Sequence, residues 1–487
     1  MSYQRPFPAV KKVSALTALI LLGGCTVGPN YSRPEVVLPA AYTEGQPAET
    51  TAAAVLQHDW WRLYNDATLN ELVETTLHNN KDLQRAVAQI DEAMAVLDET
   101  GATVFPQIDL GASSARTHSS TMNAQPVFPG VPLTTNSNRL ALSTSFEIDL
   151  WGKLRRASEA ARAQMFGSRY AHDVVALTLA GTTTQSYFTL RALDAQITVT
   201  METLTVRDES LSVIQSRVKG GLAGELDINQ AQVARSDASL QLRELQRQRT
   251  LIEHQLGLIS GKPGLRIAAT PQTNLPTATQ PPAGLPSTLV ERRPDVRQAE
   301  QALIAANARI GVTKAAQLPT FSLTSYFGGQ SKELGDVFNS GARIWSLGLG
   351  ATLPIFDAGK YSARNRGAEA VQRQALASYL KTVESAFREV ADALTNIEQN
   401  GANVTDLEIK TDAARNALRL SRMRYDAGYS SYLEVLDAQR TLNSAELALI
   451  QNRQMQLLYN IDLMKALGGG WSTDSAAPLG TALTASD

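Results

Sequence analysis

Cysteine is almost absent, with one residue, Cys25, in a chain of 487. An internal disulfide and a cysteine-rich zinc or iron–sulfur site are therefore excluded. Charge is sparse at 19% and nearly balanced, with a formal net of −2. The basic footprint of a nucleic-acid binder is missing. Aromatic residues amount to only 6%. No apolar run reaches the roughly 20 residues that carry a helix across a bilayer. The five histidines (His58, His78, His118, His172, His254) are scattered, without HExxH or paired ligand spacing. Gly261-Lys262 lacks the earlier glycine of a phosphate-binding loop and is followed by Pro263. GxSxG and GxGxxG do not occur. These absences argue against an enzyme and leave neither a metal site nor a bound cofactor to expect.

What is present starts with a leader. Arg5, Lys11 and Lys12 precede the apolar stretch Val13 to Leu22, which ends in Gly23-Gly24-Cys25. A basic region, a short apolar core and small residues before a cleavage point read as a secretory signal over residues 1–24. Its removal takes the net charge to −5.

The chain also repeats itself, which is the first thing to seek in a long sequence. Asp82-Leu83, Ala86, Ala93 and Pro106 recur at an offset of 213 as Asp295-Val296, Ala299, Ala306 and Pro319. Ile148, Gly152-Lys153, Arg217, Gly221 and Leu226-Asp227-Ile228 recur at an offset of 207 as Ile355, Gly359-Lys360, Arg424, Gly428 and Leu433-Glu434-Val435. One six-residue length change between Pro106 and Ile148 accounts for both offsets. The expected organisation is an N-terminal extended segment (25–65), a first repeat (66–260), a proline-rich linker (261–286), a second repeat (287–467) and a tail (468–487).

Each repeat reads as a helix (about 66–100 and 287–317), two strands around a Gly/Ser/Asn/Pro-rich loop, a very long helix, a glycine turn and another long helix. The strands are expected near 105–116 and 139–151, then 318–328 and 343–356. Leu140, Leu142, Phe146 and Ile148 alternate with Ala141, Ser143, Ser145 and Glu147, a period of two. Such strands suit either a soluble sandwich or a tilted membrane barrel. Leu376, Leu380, Val383, Phe387, Val390, Leu394 and Ile397 step by four and three, a heptad seam that packs helices together. From Lys360 to Tyr425 there is no proline. A helix of that length runs on the order of 100 Å. Four strands cannot close a membrane barrel alone, and open edges cannot face lipid, so copies must pool them. Two copies supply eight strands, a barrel filled by its own side chains; three supply twelve, wide enough for a channel.

These segments resemble the TolC-like outer membrane factors of tripartite efflux pumps, most closely the OprM-type lipoprotein branch. The resemblance rests on Gly24-Cys25-Thr26-Val27-Gly28-Pro29-Asn30-Tyr31 and Phe146-Glu147-Ile148-Asp149-Leu150-Trp151-Gly152-Lys153. It rests equally on Leu353-Pro354-Ile355-Phe356-Asp357-Ala358-Gly359-Lys360, Arg424-Tyr425-Asp426-Ala427-Gly428 and Tyr432 to Gln439. It implies a mainly α fold with a membrane β-barrel: a homotrimer with a twelve-stranded outer-membrane barrel, a long α-helical periplasmic tunnel and a mixed equatorial region. It implies an efflux exit duct, not an enzyme, serving a periplasmic adaptor and an inner-membrane RND transporter. Cys25 matches the lipidated first residue of the mature protein, which would anchor the chain in the outer membrane.

The resemblance also marks a gate at the periplasmic tip. Leu433 matches a position that forms an apolar constriction, and Asp437 one that forms an acidic ring. Glu434, three residues away, adds a carboxylate near the same helix face. Arg424 and Tyr425 match positions whose contacts lock the closed state. Asp227, at the Glu434 position of the first half, and Arg217, which opens the first turn, complete the candidate set. Ser431 and Asp426 stand where this branch often carries other polar residues. An exit duct of a type I protein secretion system, a heavy-metal efflux duct and a structural periplasmic coiled coil are the alternatives. The strands argue against the last of these.

Overall fold

The computed structural model describes residues 26–36, 39, 42, 59–122, 130, 132–270, 275–276 and 292–469. The leader, Cys25, most of the proline-rich linker and the tail beyond Gly469 lie outside these residues. In chain order come α1 (Ala67–Asn79), α2 (Lys81–Ala102), β1 (Gln107–His118), β2 (Thr134–Ile148), α3 (Lys153–Lys219) and α4 (Glu225–Ile259). The second repeat follows with α5 (Pro294–Ala315), β3 (Thr320–Ser331), β4 (Arg343–Thr352), α6 (Lys360–Asp426) and α7 (Tyr432–Ala466).

The element bounds reproduce the duplication. α2 and α5 are both 22 residues and lie 213 apart, as do the 12-residue strands β1 and β3. α3 and α6 are both 67 residues, α4 and α7 both 35, and each pair lies 207 apart. The length change therefore falls between β1 and the end of β2.

Several boundaries differ from the sequence reading for identifiable reasons. The single helix expected over about 66–100 is two helices, because Asn80 is extended (φ −62°, ψ 132°). Its Oδ1 accepts from the Asp82 and Leu83 amides, so Asn80 caps the helix that follows the break. Asp66 Oδ1 caps α1 in the same way, accepting from the Thr68 and Leu69 amides. The helix expected over about 287–317 is interrupted too: Arg292 is helical, Arg293 is not, and α5 begins at Pro294, where a missing N–H is harmless in a first turn. β4 stops at Thr352, two residues before Pro354, which cannot donate to a ladder.

The chain divides into two compact units that cut across the repeats. Unit 1 (Met1–Glu35, Gln89–Ser168, Ala299–Tyr379) contains the sheet, which runs β1-β2-β3-β4, antiparallel throughout. Beside it, Ala160 and Ala163 of α3 pack on Ala305 and Ala308 of α5, small side chains that let the two backbones approach closely.

Unit 2 (Val36–Ala88, Arg169–Gln298, Leu380–Asp487) holds most of the long helices. Its largest core gathers Trp60, Tyr64, Leu69, Tyr187, Phe188 and Ile461. The seam residues Val383, Val390 and Leu394 are buried, as are Leu457, Ile461 and Met464 of α7. The start of the linker is pinned by a buried ion network. Arg249 bridges Asp194 at 2.6 Å and Glu253 at 2.9 Å, and it donates to the Ile267 carbonyl. Glu253 in turn accepts from the Ile267 amide. Paired and hydrogen-bonded on both sides, these charges avoid the cost of an uncompensated buried ion.

Candidate functional site

The sheet of unit 1 has two chemically opposite faces, because side chains alternate along every strand. The register aligns Leu110, Leu142, Phe327 and Trp345 in one row across all four strands. Ile108, Thr144, Ser325 and Leu347 form the next row on that face. The other face carries Asp109–Ser143–Tyr326–Ser346 and Gln107–Ser145–Thr324–Gly348. Arg139 stacks over Tyr326 there, at 4.3 Å. The apolar face is solvent-exposed, with Ile108, Leu110, Phe327, Trp345, Leu347 and Leu349 all between 61% and 75% accessible. Among the described residues β1 and β4 each pair on one side only, so both edges are open. An exposed apolar band on an open-edged sheet is untenable in water for a lone chain. It is the geometry of a barrel segment whose outer face meets lipid and whose inner face lines a wet lumen.

Below the sheet, the segment after Cys25 is held in place. The Val27 amide donates to the Trp151 carbonyl at 3.0 Å, and Asn307 donates to the Pro29 carbonyl. Arg156 donates to Asn30, while Arg33 grips Glu300 through both Nε and Nη2, at 2.7 and 2.9 Å. Tyr31 donates to the same carboxylate. Gly28 has φ +103°, and a Cβ there would meet the Gly311 Cα at 2.6 Å. The glycine is required by both its backbone conformation and this close approach.

The second candidate region is the pair of helix turns in unit 2. Both have the same backbone solution. Leu222 N bonds Arg217 O and Gly221 N bonds Val218 O; Tyr429 N bonds Arg424 O and Gly428 N bonds Tyr425 O. Gly221 (φ +73°) and Gly428 (φ +77°) supply the left-handed residue that this Schellman ending needs. Below the turns, Ile214 of α3, Leu418 of α6, Ala231 of α4 and Tyr432, Val435 and Leu436 of α7 form one apolar cluster.

The side chains are arranged differently from the backbone. The Asp227 carboxylate accepts from the Gly224 amide at 3.1 Å and so caps its own helix. Glu434, at the equivalent position, instead reaches Arg424 Nε at 3.7 Å. Arg217 crosses from the first repeat to the second, stacking over the Tyr425 ring at 4.6 Å and pairing with Asp426 at 3.6 Å. Tyr425 also meets the Tyr432 ring, with centroids 5.5 Å apart. The structure thus brings Arg217, Tyr425 and Asp426 together, and Arg424 with Glu434. Asp437 is elsewhere: it lines a groove with Leu433, Leu436, Arg440, Arg207 and Asp237, so Glu434 and Asp437 face different partners. Leu433 remains 59% accessible.

Sequence reasoning missed Arg207, Tyr432 and Arg440 at this site. Tyr432 lay inside a quoted motif, whereas Arg207 looks like any charge on a long helix and is only 4% accessible in the fold.

Comparison with known proteins agrees with this geometry. The family model described as "Outer membrane efflux protein" matches residues 72–262 and 285–469. The chain is 34% identical over 469 residues to the solvent efflux pump outer membrane protein SrpC of Pseudomonas putida, covering 93% of this chain and 97% of that one. It is 31% identical over 465 residues to the cation efflux system protein CusC of Escherichia coli O6:H1, covering 94% and 99%. The crystal structure of the Campylobacter jejuni CmeC outer membrane channel superposes with a TM-score of 0.86 at 25% identity, over 92% of this chain and 95% of that one. The chain belongs to the outer membrane efflux protein family, and it is an outer-membrane efflux channel.

Proposed function

We propose that three copies of this chain close a twelve-stranded barrel and form the passive exit duct of a tripartite pump. The observation that carries this reading is the four-stranded sheet with an exposed apolar face and two open edges. Pooling strands removes the edges, and twelve leave an aqueous lumen lined by Asp109, Ser143, Tyr326 and their neighbours. The inner-membrane RND transporter, joined to the duct by a periplasmic adaptor, supplies the energy and chooses the cargo. Solvents and cations, named for the relatives SrpC and CusC, mark the range of small toxic compounds such a duct passes.

Cys25 carries the covalent lipid. The pinned run from Val27 to Arg33 supports this, since the Val27 amide, two residues after Cys25 in sequence, is held to the Trp151 carbonyl just beyond β2. The tip of unit 2 is the gate, with Arg424–Glu434 and Arg217–Tyr425–Asp426 as its closing contacts. These contacts are exposed and long, and exposed pairs of this kind contribute about 0–1 kcal/mol each, so a docking partner can displace them. Asp437 and Glu434 repeated by threefold symmetry favour cations at the aperture.

Two measurements test the reading. Purified protein in planar bilayers is expected to give small closed-state conductance that rises in Glu434→Ala/Asp437→Ala, with weaker cation preference. Conductance and selectivity equal to the parent protein would discard the gate. Radiolabelled palmitate is expected to label the parent protein and not Cys25→Ala; equal labelling would discard the anchor.

A further inference from the structure

The groove of about 700 Å³ beside α7 contains a charge that the gate reading leaves unexplained. Arg207 of α3 is 4% accessible and lines this groove, yet no carboxylate lies within ion-pairing distance of it among the described residues. Its guanidinium donates to Gln439 Oε1, and the Tyr432 hydroxyl lies close by. Gln439 is itself 6% accessible, and its Nε2 is a buried donor with no acceptor. Arg422 and Arg440 lie near enough to repel the guanidinium. Burial together with those two cations holds its pKa below the ordinary arginine value. Asp237 and Asp437 line the same groove without reaching it.

A guanidinium has five donors and no means of losing its charge at neutral pH. Buried with only neutral acceptors, the Gln439 amide oxygen and the Tyr432 hydroxyl, it carries a desolvation cost that an anion would relieve. At Arg207 itself the surplus is of donors: a fixed cation repelled by Arg422 and Arg440, and an orphaned Gln439 amide donor beside it, while Asp237 and Asp437 line the groove without pairing with it.

We propose that Arg207, with Gln439 beside it, forms a binding site for a small inorganic anion of chloride type, entered from the groove. The anion accepts from the guanidinium while the Gln439 amide turns its free N–H₂ toward it. It ties α3 to α7 just below the second turn and adds to the four-helix cluster there. The groove has room for a hydrated halide, since a water takes only about 30 Å³ of liquid volume.

Crystals of the full trimer soaked in sodium bromide test this directly through anomalous scattering. A bromide peak in contact with the Arg207 guanidinium, lost in Arg207→Gln, is expected. Hydrogen exchange supplies the second arm: amides around 203–214 and 435–443 are followed in sodium chloride and in sodium gluconate at equal ionic strength. At chloride near ten times its dissociation constant, local opening in the parent protein slows about tenfold, and the effect vanishes in Arg207→Gln. Absence of a bromide peak, or a peak that persists in Arg207→Gln (an adventitious ion only), overturns the proposal. So does a carboxylate from a neighbouring copy seated on Arg207. If Arg207→Gln fails to assemble, the Gln439→Leu variant and the parent protein's own bromide and exchange data still decide. Scattering reads occupancy and conductance reads gating, so this site and the gate fail independently.

Discussion

The two helix turns of unit 2 share one backbone and differ in what their side chains hold. In the first repeat the acid at the third helical position, Asp227, turns inward to its own Gly224 amide. In the second, Glu434 reaches out to Arg424, and Arg217 reaches over from the first repeat to Tyr425 and Asp426. The first turn is therefore closed by a local bond that follows its helix wherever it moves. The second depends on long, exposed contacts that cross between helices and weaken as salt rises. The two repeats share the fold of the turn and differ in whether the acid at the third helical position bonds within its own helix or across to another.

The comparison can be pushed hardest at the shared core. Ile214 is 1% accessible and touches the second repeat, while its counterpart Ser421 bonds only the Leu418 carbonyl of its own helix. Ile214→Ala is expected to cost about 2–5 kcal/mol of local stability, read by hydrogen exchange in 207–218 and 432–442. Ser421→Ala costs well under half of that if the core is fed asymmetrically; equal losses would break the comparison. Next come the turn glycines. Gly221→Val and Gly428→Val each force a β-branched residue into the left-handed region, at about 1–3 kcal/mol. Both are expected to loosen their own turn, but only Gly428→Val raises single-channel conductance.

Smaller effects separate the two acids. Asp227→Ala loses one exposed capping-box hydrogen bond worth about 0.5–1.5 kcal/mol, visible as faster exchange at the start of α4 with unchanged conductance. Glu434→Ala loses less stability yet raises conductance; a silent Glu434 with an active Asp227 would reverse the assignment. Smallest of all is the Arg424–Glu434 coupling, expected at about 0.2–1 kcal/mol in a double-mutant cycle and fading at high salt.

Much of this was legible in the residues. The duplication needed only paired motifs, and the helix and strand bounds then repeated its two offsets. The alternation of Leu140, Leu142 and Phe146 was visible because a strand's period is two, whichever way the sheet folds. The break at Asn80 was hidden, because its capping bonds depend on a backbone bend that no periodicity records. Glu434 and Asp437 lie three residues apart, and helical spacing alone put them near one face. Only the positions of Arg424 on one side and the Arg440 groove on the other separated their partners.

By itself the sequence determined the internal repeat, the long unbroken helices and the amphipathic strands, since each rests on local spacing. The tertiary structure decided which face of the sheet is continuous, because rows such as Leu110–Leu142–Phe327–Trp345 join strands more than two hundred residues apart. It also decided that Arg207 is buried without a carboxylate, since burial depends on what α4, α6 and α7 bring around it.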